Sequence, residues 1–349
     1  MDLVDLVDPA GYHVAVPFAA IAGHAHVVAL LKRAVATSRV PQSLLIAGPE
    51  GVGKRTLALA LAQAVNCPKR RGGDGCGTCS TCLRIARGQH ADVTLVTPEG
   101  RASISIEVLR ERLLHVVGYR PFEAERRVYI IDPADAVTWE AQSALLKTLE
   151  EPPPATILVL VSAYPDTLLP TVQSRCRRLR LAPLSEQDVA RVLVERCDVD
   201  PVKARGLAAV SGGSVARALA LADDDGQLAE DRQVALELVT AAAGRGSNVA
   251  TRLKAATALT QHASKRRARE TVGTRLAVAA SLVRDLGVIA AGDPALMANT
   301  DLERELRGLA ASFDLPRLTA GFAALARAQA DLDRSSSPKI VADWVALTI

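Results

Sequence analysis

The feature that most constrains the fold is a strand–loop–helix pattern near the start of the 349-residue sequence. The apolar run 43–47 is followed directly by GPEGVGK at 48–54, and residues 57–65 continue with helical character. Glycines in such a loop let backbone N–H groups turn inward, the helix N-terminus favours anions, and the lysine reaches the outer phosphates. The pattern predicts an α/β fold with a phosphate-binding loop. Its predicted nucleotide ligands are Gly48, Gly51, Gly53 and Lys54.

The residue after the loop lysine departs from this pattern. A serine or threonine is expected there because its hydroxyl ligates Mg²⁺, whereas this chain has Arg55. Thr56 stands one position later, which is about 100° further round a helix. We therefore expect a loop that still holds phosphates, with Thr56 among its candidate ligands, but without a normal magnesium ligand. A loop retained only for its structural role is the alternative.

Four cysteines follow the loop at close spacing. Cys67, Cys76, Cys79 and Cys82 form a C-x8-C-x2-C-x2-C array in a glycine-rich stretch. Four thiolates at this spacing predict a tetrahedral structural zinc site with no open position for a catalytic water. Two disulfides or unligated thiols are the alternatives, and disulfides fit a reducing compartment poorly.

A second patterned stretch lies between residues 141 and 176. The apolar residues of 141–149 share one helical face, and the prolines at 152–154 end that helix. Residues 157–161 form an uninterrupted apolar run, which is typical of a strand buried on both faces. A loop carrying Arg175 is predicted next. Its guanidinium is suited to reach a phosphate bound to a neighbouring subunit, and pairing with a local carboxylate is the alternative.

The sequence ALLKTLEEPP at 144–153, together with the Ser-Arg-Cys at 174–176, resembles the bacterial clamp-loader ATPase family. This family comprises the gamma/tau and delta-prime subunits of DNA polymerase III. The combined motif is long and specific, and the resemblance extends over about residues 18–217. The cysteine spacing is similar to the zinc module of the same subunits. The apolar positions of residues 18–40 predict an amphipathic helix that ends before Pro41. Gly23-His24 is similar to the pair that opens the family's first helix, with His24 in a structural role.

The resemblance also identifies a second departure from the nucleotide-site motif of the family. The strand predicted at 127–132 should end in the metal-binding carboxylate, which is Asp132. In an active ATPase of this family the next residue is a glutamate that polarises the attacking water, whereas here it is Pro133. Proline has no carboxylate, so the role of general base is empty, and Asp135 does not match the position of that base. With Arg55, this argues against efficient ATP hydrolysis.

Three further residues receive roles from the resemblance. Arg175 matches an arginine finger that acts in trans on the ATP site of an adjacent subunit. Ser162 corresponds to a polar residue that senses the gamma-phosphate, with a simple turn-forming role as the alternative. Arg217, in GGSVAR at 212–217, corresponds to a second sensing motif and is placed among the nucleotide-binding candidates. A solvated arginine is the alternative for Arg217.

The predicted fold is an α/β P-loop (AAA+) domain with a zinc module, followed by a small helical lid and an all-α collar. The domain boundaries are predicted at 1–181 for the P-loop domain with its cysteines at 67–82, 182–222 for the lid and 223–349 for the collar. The acidic stretch Asp223-Asp224-Asp225-Gly226 is predicted to be a linker, and the basic cluster at 265–267 a solvated face. The collar helices are predicted at 228–243, 249–263, 270–291, 302–312 and 316–332.

Composition and charge exclude some classes of protein. The chain is 49% hydrophobic with a net charge of +4, which permits contact with nucleic acid without demanding it. No uncharged apolar run of about 18 residues is present, so a membrane span is not expected. The start Met1-Asp2-Leu3 lacks the pattern of a signal peptide. These features predict a cytoplasmic protein.

The resemblance implies a delta-prime type of clamp-loader subunit, with weak or absent ATPase activity of its own. It would join gamma/tau and delta subunits in a hetero-pentamer and reach the sliding clamp and primer-template DNA through that complex. Structural Zn²⁺ and optional ATP or ADP are its implied ligands. Two alternatives remain: a gamma/tau-type subunit that hydrolyses ATP, favoured by Lys54 and Asp132, and a module that binds nucleotide without turnover.

Overall fold

The structure is a computed structural model that describes residues 15–98, 103–222, 225–244, 248–261, 268–293, 296–333 and 336–349. The chain divides into two compact units. The first comprises Met1–Asp188 together with Ser214–Ala216, and the second comprises Val189–Gly213 together with Arg217–Ile349. The division into P-loop domain, lid and collar stays a prediction.

A parallel sheet of five strands forms the centre of the first unit. The strands are β1 (Ser43–Ala47), β2 (Val93–Val96), β3 (Arg127–Ile131), β4 (Thr156–Ser162) and β5 (Arg177–Arg180). Their order across the sheet is β2-β3-β4-β1-β5, and all four pairings are parallel. In register, Leu45 of β1 lies opposite Leu160 of β4. Both strands are buried along their whole length, as their uninterrupted apolar sequences predicted.

Helices cover both faces of this sheet because successive strand residues point to opposite faces. Leu44 and Ile46 pack in one core with α2, whereas Leu45 packs in the other with Leu145 and Leu149 of α5. The α4 helix continues as a wider turn through Arg110–Leu114. The helices that begin in this unit are α1 (Ala25–Ala36), α2 (Lys54–Asn66), α3 (Ser80–Ala86), α4 (Ile106–Leu109), α5 (Trp139–Glu150), α6 (Pro170–Arg175) and α7 (Glu186–Cys197).

The described part of the chain after α7 is helical, as predicted. Its helices are α8 (Pro201–Val210), α9 (Val215–Ala222), α10 (Asp225–Ala243), α11 (Val249–Thr260), α12 (Ala268–Ala291), α13 (Glu303–Ala310), α14 (Leu315–Asp333) and α15 (Pro338–Thr348). The 24-residue α12 packs against α10, α13 and α14. Leu276, Leu282 and Leu286 of α12 are fully buried in the core of the second unit.

The first helix is shorter than its apolar pattern over 18–40 predicted. Gly23 and His24 have φ angles of 62° and 52°, in the left-handed region that a right-handed helix does not contain. The helix α1 therefore begins only at Ala25. The left-handed φ favours glycine at position 23, and a Cβ there would lie 2.5 Å from Cδ2 of Leu184, whose side chain would have to move.

Three other local predictions need correction or completion. Arg175 ends the short helix α6 instead of lying in a loop. Asp225 and Gly226 lie in α10 instead of a linker, whereas Asp223, Asp224 and the basic cluster at 265–267 lie outside the described residues. The final helix α15 was not predicted at all.

Among the described helices, none is long and apolar enough to cross a bilayer.

Candidate functional site

Except for Arg217, which belongs to the second unit, the predicted nucleotide residues lie at or next to the carboxyl edge of the sheet. The loop that follows β1 is joined to the end of β4, where the amide of Gly48 donates to the carbonyl of Ser162 at 3.2 Å. On the other side, the amide of Leu181 donates to the carbonyl of Ala47 at 2.7 Å. Asp132 follows β3 directly. This edge is where open α/β sheets bind their ligands, because the loops after the strands line a crevice there.

The loop itself has the backbone that a phosphate-binding loop needs. Gly51 and Gly53 have φ angles of 70° and 94°, a region that favours glycine. A Cβ on Gly51 would lie 2.1 Å from Oγ of Ser214, and the amide of Val215 donates to the Gly51 carbonyl at 3.1 Å. The segment 214–216 is thus packed directly on the loop. A larger residue at position 51 would displace this segment.

Lys54 begins α2 and is almost fully buried. Its Nζ donates to the carbonyl of Pro49 at 2.7 Å, so the ammonium lies over the loop. The ring Nε2 of His24 is 3.1 Å from the carbonyl of Val52, which supports the structural role predicted for this histidine. Thr56 is half-buried in the first turn of α2. The geometry can hold phosphate through Lys54 and the loop amides.

Arg55 and Asp132 form an ion pair inside this site. Nε of Arg55 donates to Oδ2 of Asp132, and the two side chains are only 18% and 9% exposed. Mg²⁺ requires oxygen ligands in near-octahedral geometry. Here the hydroxyl expected after Lys54 is replaced by a guanidinium, and that guanidinium already covers the carboxylate. The donor set therefore does not fit Mg²⁺.

Asp135 is also engaged by its neighbours. Oγ of Ser162 donates to Oδ1 of Asp135 at 2.6 Å, and the amide of Ala163 donates to the same oxygen at 2.9 Å. A general base must lie within hydrogen-bond reach of the water it activates. The Oδ1 of Asp135 is held by two donors of its own chain, so this acid does not replace the base missing at Pro133. Ser162 is buried and pairs with Asp135.

Arg175 lies at the end of α6 and is held by its own chain. Its Nη2 donates to Oε1 of Glu150 at the end of α5, with side chains 33% and 48% exposed. Its Nη1 donates to the carbonyl of Thr171 at 2.9 Å. Nε is buried without a hydrogen-bond partner among the described atoms. The local carboxylate considered as an alternative for Arg175 is thus real, and the guanidinium is still partly accessible to solvent.

Arg217 belongs to the second unit. A Cβ added to Gly273 of α12 would lie 3.8 Å from Nη2 of Arg217, an ordinary contact distance, so the guanidinium lies beside this part of α12. The preceding residues Ser214–Ala216 belong to the first unit and contact the loop at Gly51. A role for Arg217 in nucleotide sensing stays a prediction.

The four predicted zinc ligands come together. Their Sγ atoms all lie within 4.8 Å of one another, and the Sγ atoms of Cys67 and Cys79 are 3.8 Å apart. A tetrahedron with Zn–S bonds of about 2.3 Å separates its sulfurs by about 3.8 Å. The cysteines are free thiols in this structure, which disfavours the disulfide alternative. Cys67, Cys76, Cys79 and Cys82 therefore fit a structural zinc ion.

Backbone contacts support and anchor this cysteine cluster. The amides of Cys76, Cys79 and Cys82 donate to the sulfurs of Cys67, Cys76 and Cys79 at 3.4, 3.3 and 3.5 Å. A hydrogen bond from the backbone of Thr78 is the main cause that lowers the pKa of Cys76 to about 6. Such donors favour the thiolate, which is the form that ligates metal, whereas burial raises the pKa of Cys67 and of Cys82.

Asp74 ties the same segment to the rest of the unit. Its carboxylate accepts from the amides of Phe18 and Ala19 at 2.8 and 2.9 Å, and it pairs with Nζ of Lys32 at 2.9 Å. At Gly73 a Cβ would lie 2.0 Å from the carbonyl of Lys32. The cysteine segment is therefore packed closely against α1, so its order and that of the sheet domain are coupled.

Sequence reasoning missed the partners of the arginines. Arg55 was identified as a departure, but its pairing with Asp132 depends on the approach of α2 to the end of β3, 77 residues apart in sequence. Glu150 was part of the recognised motif without a role of its own. The sequence does show a carboxylate, Glu150, at the end of the helix before Arg175. Its position alone does not specify which arginine it pairs with.

Comparison with known proteins identifies the relatives of this chain. Residues 23–185 match the family described as DNA polymerase III, delta subunit. The chain is 36% identical to the DNA polymerase III subunit delta' of Bacillus subtilis over 61% of this chain and 63% of the relative. It is 32% identical to the DNA polymerase III subunit tau of Escherichia coli over 65% of this chain and 36% of the relative.

The matched portions leave part of each relative uncovered, because the chain spans less than two thirds of these curated relatives. Among solved structures, it is similar to a DNA polymerase III gamma subunit-related protein from Thermotoga maritima. That comparison covers 81% of this chain and 96% of the other, with 17% identity and a TM-score of 0.36.

Proposed function

The chain is similar to clamp-loader subunits of DNA polymerase III, and we propose that it is the delta-prime subunit of the loader. In this role it hydrolyses little or no ATP and supplies Arg175 to the ATP site of a neighbouring subunit. One observation carries the proposal: Arg175 is partly exposed, and its charged partner is a single surface carboxylate, Glu150, with one further hydrogen bond to the carbonyl of Thr171. Such a pair is weak enough to be exchanged for a phosphate.

The proposed action of Arg175 is electrostatic. Phosphoryl transfer places charge on the oxygens of the transferring group, and a guanidinium positioned there lowers the energy of the transition state. The planar fork of arginine matches phosphate oxygens with two parallel hydrogen bonds. On approach of the neighbouring nucleotide, the guanidinium would leave Oε1 of Glu150 for a gamma-phosphate oxygen.

The interior of the chain's own nucleotide site supports a subunit without efficient turnover. Arg55 occupies the carboxylate of Asp132, Pro133 offers no base, and Oδ1 of Asp135 is held by Ser162 and the amide of Ala163. Hydrolysis needs a positioned water and a metal that neutralises the phosphates. The residues that would supply both functions are replaced or engaged.

The remaining parts of the chain receive roles within the same proposal. Residues 223–349 act as the collar that joins gamma/tau and delta subunits in a pentamer, and residues 182–222 act as the lid of an AAA+ domain. Zinc held by the cysteine cluster stabilises the first unit. The chain reaches the sliding clamp and primer-template DNA through the assembled complex, in the cytoplasm.

A gamma/tau-type motor subunit is the second candidate. It is favoured by the presence of Lys54 at the loop and Asp132 after β3, and by the 32% identity to a tau subunit. A nucleotide-binding subunit without turnover lies between the two candidates. ATP hydrolysis by the isolated chain would identify the motor subunit, whereas nucleotide binding without hydrolysis is compatible with the delta-prime role.

The proposal is tested with the full chain in isolation and in a reconstituted loader. We expect no ATP hydrolysis above that of the Lys54→Ala variant by the isolated chain. We also expect that gamma/tau and delta subunits form a clamp-loading complex only when this chain is added. Hydrolysis by the isolated chain that disappears in Lys54→Ala would instead assign the motor function. Normal assembly and clamp loading without the chain would contradict the proposal.

A further inference from the structure

The ion pair between Arg55 and Asp132 has a consequence for the ligand of the loop. Nε of Arg55 donates to Oδ2 of Asp132 at the carboxyl edge of the sheet, and both side chains are largely buried. Asp132 is the acid that follows β3, one position before Pro133. A P-loop nucleotide site normally uses such an acid, with the hydroxyl after the loop lysine, to hold Mg²⁺. In this chain a permanent side-chain cation occupies that position.

A divalent cation and this guanidinium compete for the same carboxylate. An arginine guanidinium is always charged in a protein. A metal ion beside it would face repulsion from the guanidinium and would find no hydroxyl ligand at position 55. Mg²⁺ also gives up its water ligands reluctantly and tolerates little distortion of its octahedron. The ion pair therefore excludes Mg²⁺ from its usual place.

The phosphate-binding elements of the loop do not depend on that metal. Gly51 and Gly53 keep the left-handed backbone that the loop requires. The ammonium of Lys54 lies over the loop at the carbonyl of Pro49, 2.7 Å away. A phosphate oxygen could replace this carbonyl as the acceptor of Lys54. The ammonium would then donate to a charged acceptor instead of a neutral one, and hydrogen bonds between charged groups are stronger.

We propose that the loop binds a nucleoside di- or triphosphate without a divalent cation, with the guanidinium of Arg55 in the place of Mg²⁺. The site then holds nucleotide as a fixed structural ligand and does not prepare it for hydrolysis. The inference concerns the chain's own loop and does not depend on the action of Arg175 on a neighbour.

The test measures binding of ADP and of ATP to the full-length chain by equilibrium dialysis, in excess Mg²⁺ and in excess EDTA. We expect the wild-type affinity to be the same in both conditions. The variant Arg55→Thr restores a hydroxyl after Lys54 and removes the guanidinium from Oδ2 of Asp132. It is expected to bind at least about tenfold more weakly in EDTA than in Mg²⁺, because the bound cation becomes the main counter-charge.

Two further variants control the experiment. Arg55→Lys keeps a cation beside Asp132 and is expected to remain independent of Mg²⁺, so it tests the proposal even if Arg55→Thr fails to fold. Arg33→Thr removes an exposed arginine of α1 and is expected to behave as the wild type. Circular dichroism checks the fold of each variant.

Loss of wild-type binding in EDTA, or no binding of either nucleotide in both conditions, would overturn the inference. Equal binding of folded Arg55→Thr in Mg²⁺ and EDTA would overturn the role of Arg55. None of these results affects the ATPase activity of a loader that depends on Arg175, so failure here is separable from failure of the proposed function.

Discussion

Nη2 of Arg175 donates to Oε1 of Glu150, so the arginine proposed to act on a neighbouring subunit is held by a carboxylate of its own chain. Ion pairs at such partly exposed positions contribute about 0–1 kcal/mol. In this arrangement Nε of Arg175 is also buried without a hydrogen-bond partner among the described atoms, which costs about 1–3 kcal/mol. The guanidinium can therefore exchange Glu150 for a phosphate at little cost, and gains if Nε finds an acceptor.

Glu150→Gln tests whether Arg175 acts beyond this local pair. We expect the free energy of unfolding to change by less than about 1 kcal/mol, measured by urea denaturation. We also expect the ATPase rate of the assembled loader to stay close to that of the wild type, because the guanidinium remains available. If Glu150→Gln lowered the ATPase rate as much as Arg175→Ala does, the pair itself would be the functional unit.

The cysteine cluster is expected to bind one zinc ion per chain. Cys79→Ser should abolish stoichiometric zinc, measured by atomic absorption on the purified protein, and should lower the thermal unfolding temperature of the first unit, because metal binding is coupled to folding. Cys197→Ser is the matched control, since Cys197 lies outside the cluster. If the purified wild-type protein contained no zinc and unfolded at the same temperature as Cys79→Ser, the thiols would be unligated.

The buried guanidinium of Arg275 is expected to dominate the stability of the second unit. Its side chain is 0% exposed, and its Nε donates to Oδ1 of Asp231 at 2.7 Å. Its Nη1 donates to the carbonyls of Ala258, Leu259 and Gln261 at the end of α11. Arg275→Ala removes the ion-pair partner of the buried Asp231 carboxylate and a donor to three carbonyls, so it should cost about 3–5 kcal/mol in denaturant unfolding.

The exposed pair of Arg307 with Glu303 provides the control for Arg275. It joins residues four apart on the surface of α13, where such pairs contribute about 0.3–0.5 kcal/mol. Arg307→Ala should therefore change the unfolding free energy very little. Similar losses in Arg275→Ala and Arg307→Ala would contradict the role given to the buried arginine.

Asp92 is expected to make the first unit sensitive to acid. Burial by itself raises the pKa of this carboxyl, but hydrogen bonds from the amides of Glu123, Phe122 and Ala124 and the charge of Arg127 outweigh burial and leave the pKa lowered. Because the folded pKa lies below the unfolded value of about 4, this contribution is complete above that pH. It is lost as the pH falls through the folded pKa.

The variant Asp92→Asn checks this pH dependence. At neutral pH we expect it to be less stable than the wild type by about 1–3 kcal/mol, because hydrogen bonds to a charged acceptor are lost. The difference should narrow as the pH falls below about 4, in urea unfolding measured across the pH range. Asp166→Asn, at an exposed position, should show no such trend. A difference independent of pH would contradict the argument.

Much of the sheet and of the cysteine cluster was predictable from the sequence, because local patterns determine both. The apolar run at 43–47 predicted β1 to the residue, and the spacing of the four cysteines predicted their convergence. The run at 157–161 predicted a strand buried on both faces, and β4 is buried over its whole length. Such patterns indicate which residues are buried and where the chain turns, and both can be read from a few neighbouring residues.

The ion pairs could not be predicted in the same way. Arg55 pairs with Asp132 because parallel strands bring the end of β3 near the start of α2, and Arg175 pairs with Glu150 because α5 and α6 pack together. Both contacts depend on tertiary structure. The helix predicted at 18–40 was too long for a related reason: Gly23 and His24 adopt left-handed backbone, which the apolar periodicity of this stretch does not reveal.

The most direct test of the account compares the ATPase rates of loaders reconstituted with wild-type chain, Arg175→Ala and Arg177→Ala. Arg177 is an exposed arginine of β5, two residues further on, so its variant removes the same charge from the same region. We predict that Arg175→Ala assembles normally but lowers the clamp- and DNA-stimulated ATPase rate by about 10³-fold or more, whereas Arg177→Ala retains it. An unchanged ATPase rate in a fully assembled Arg175→Ala loader would contradict the account.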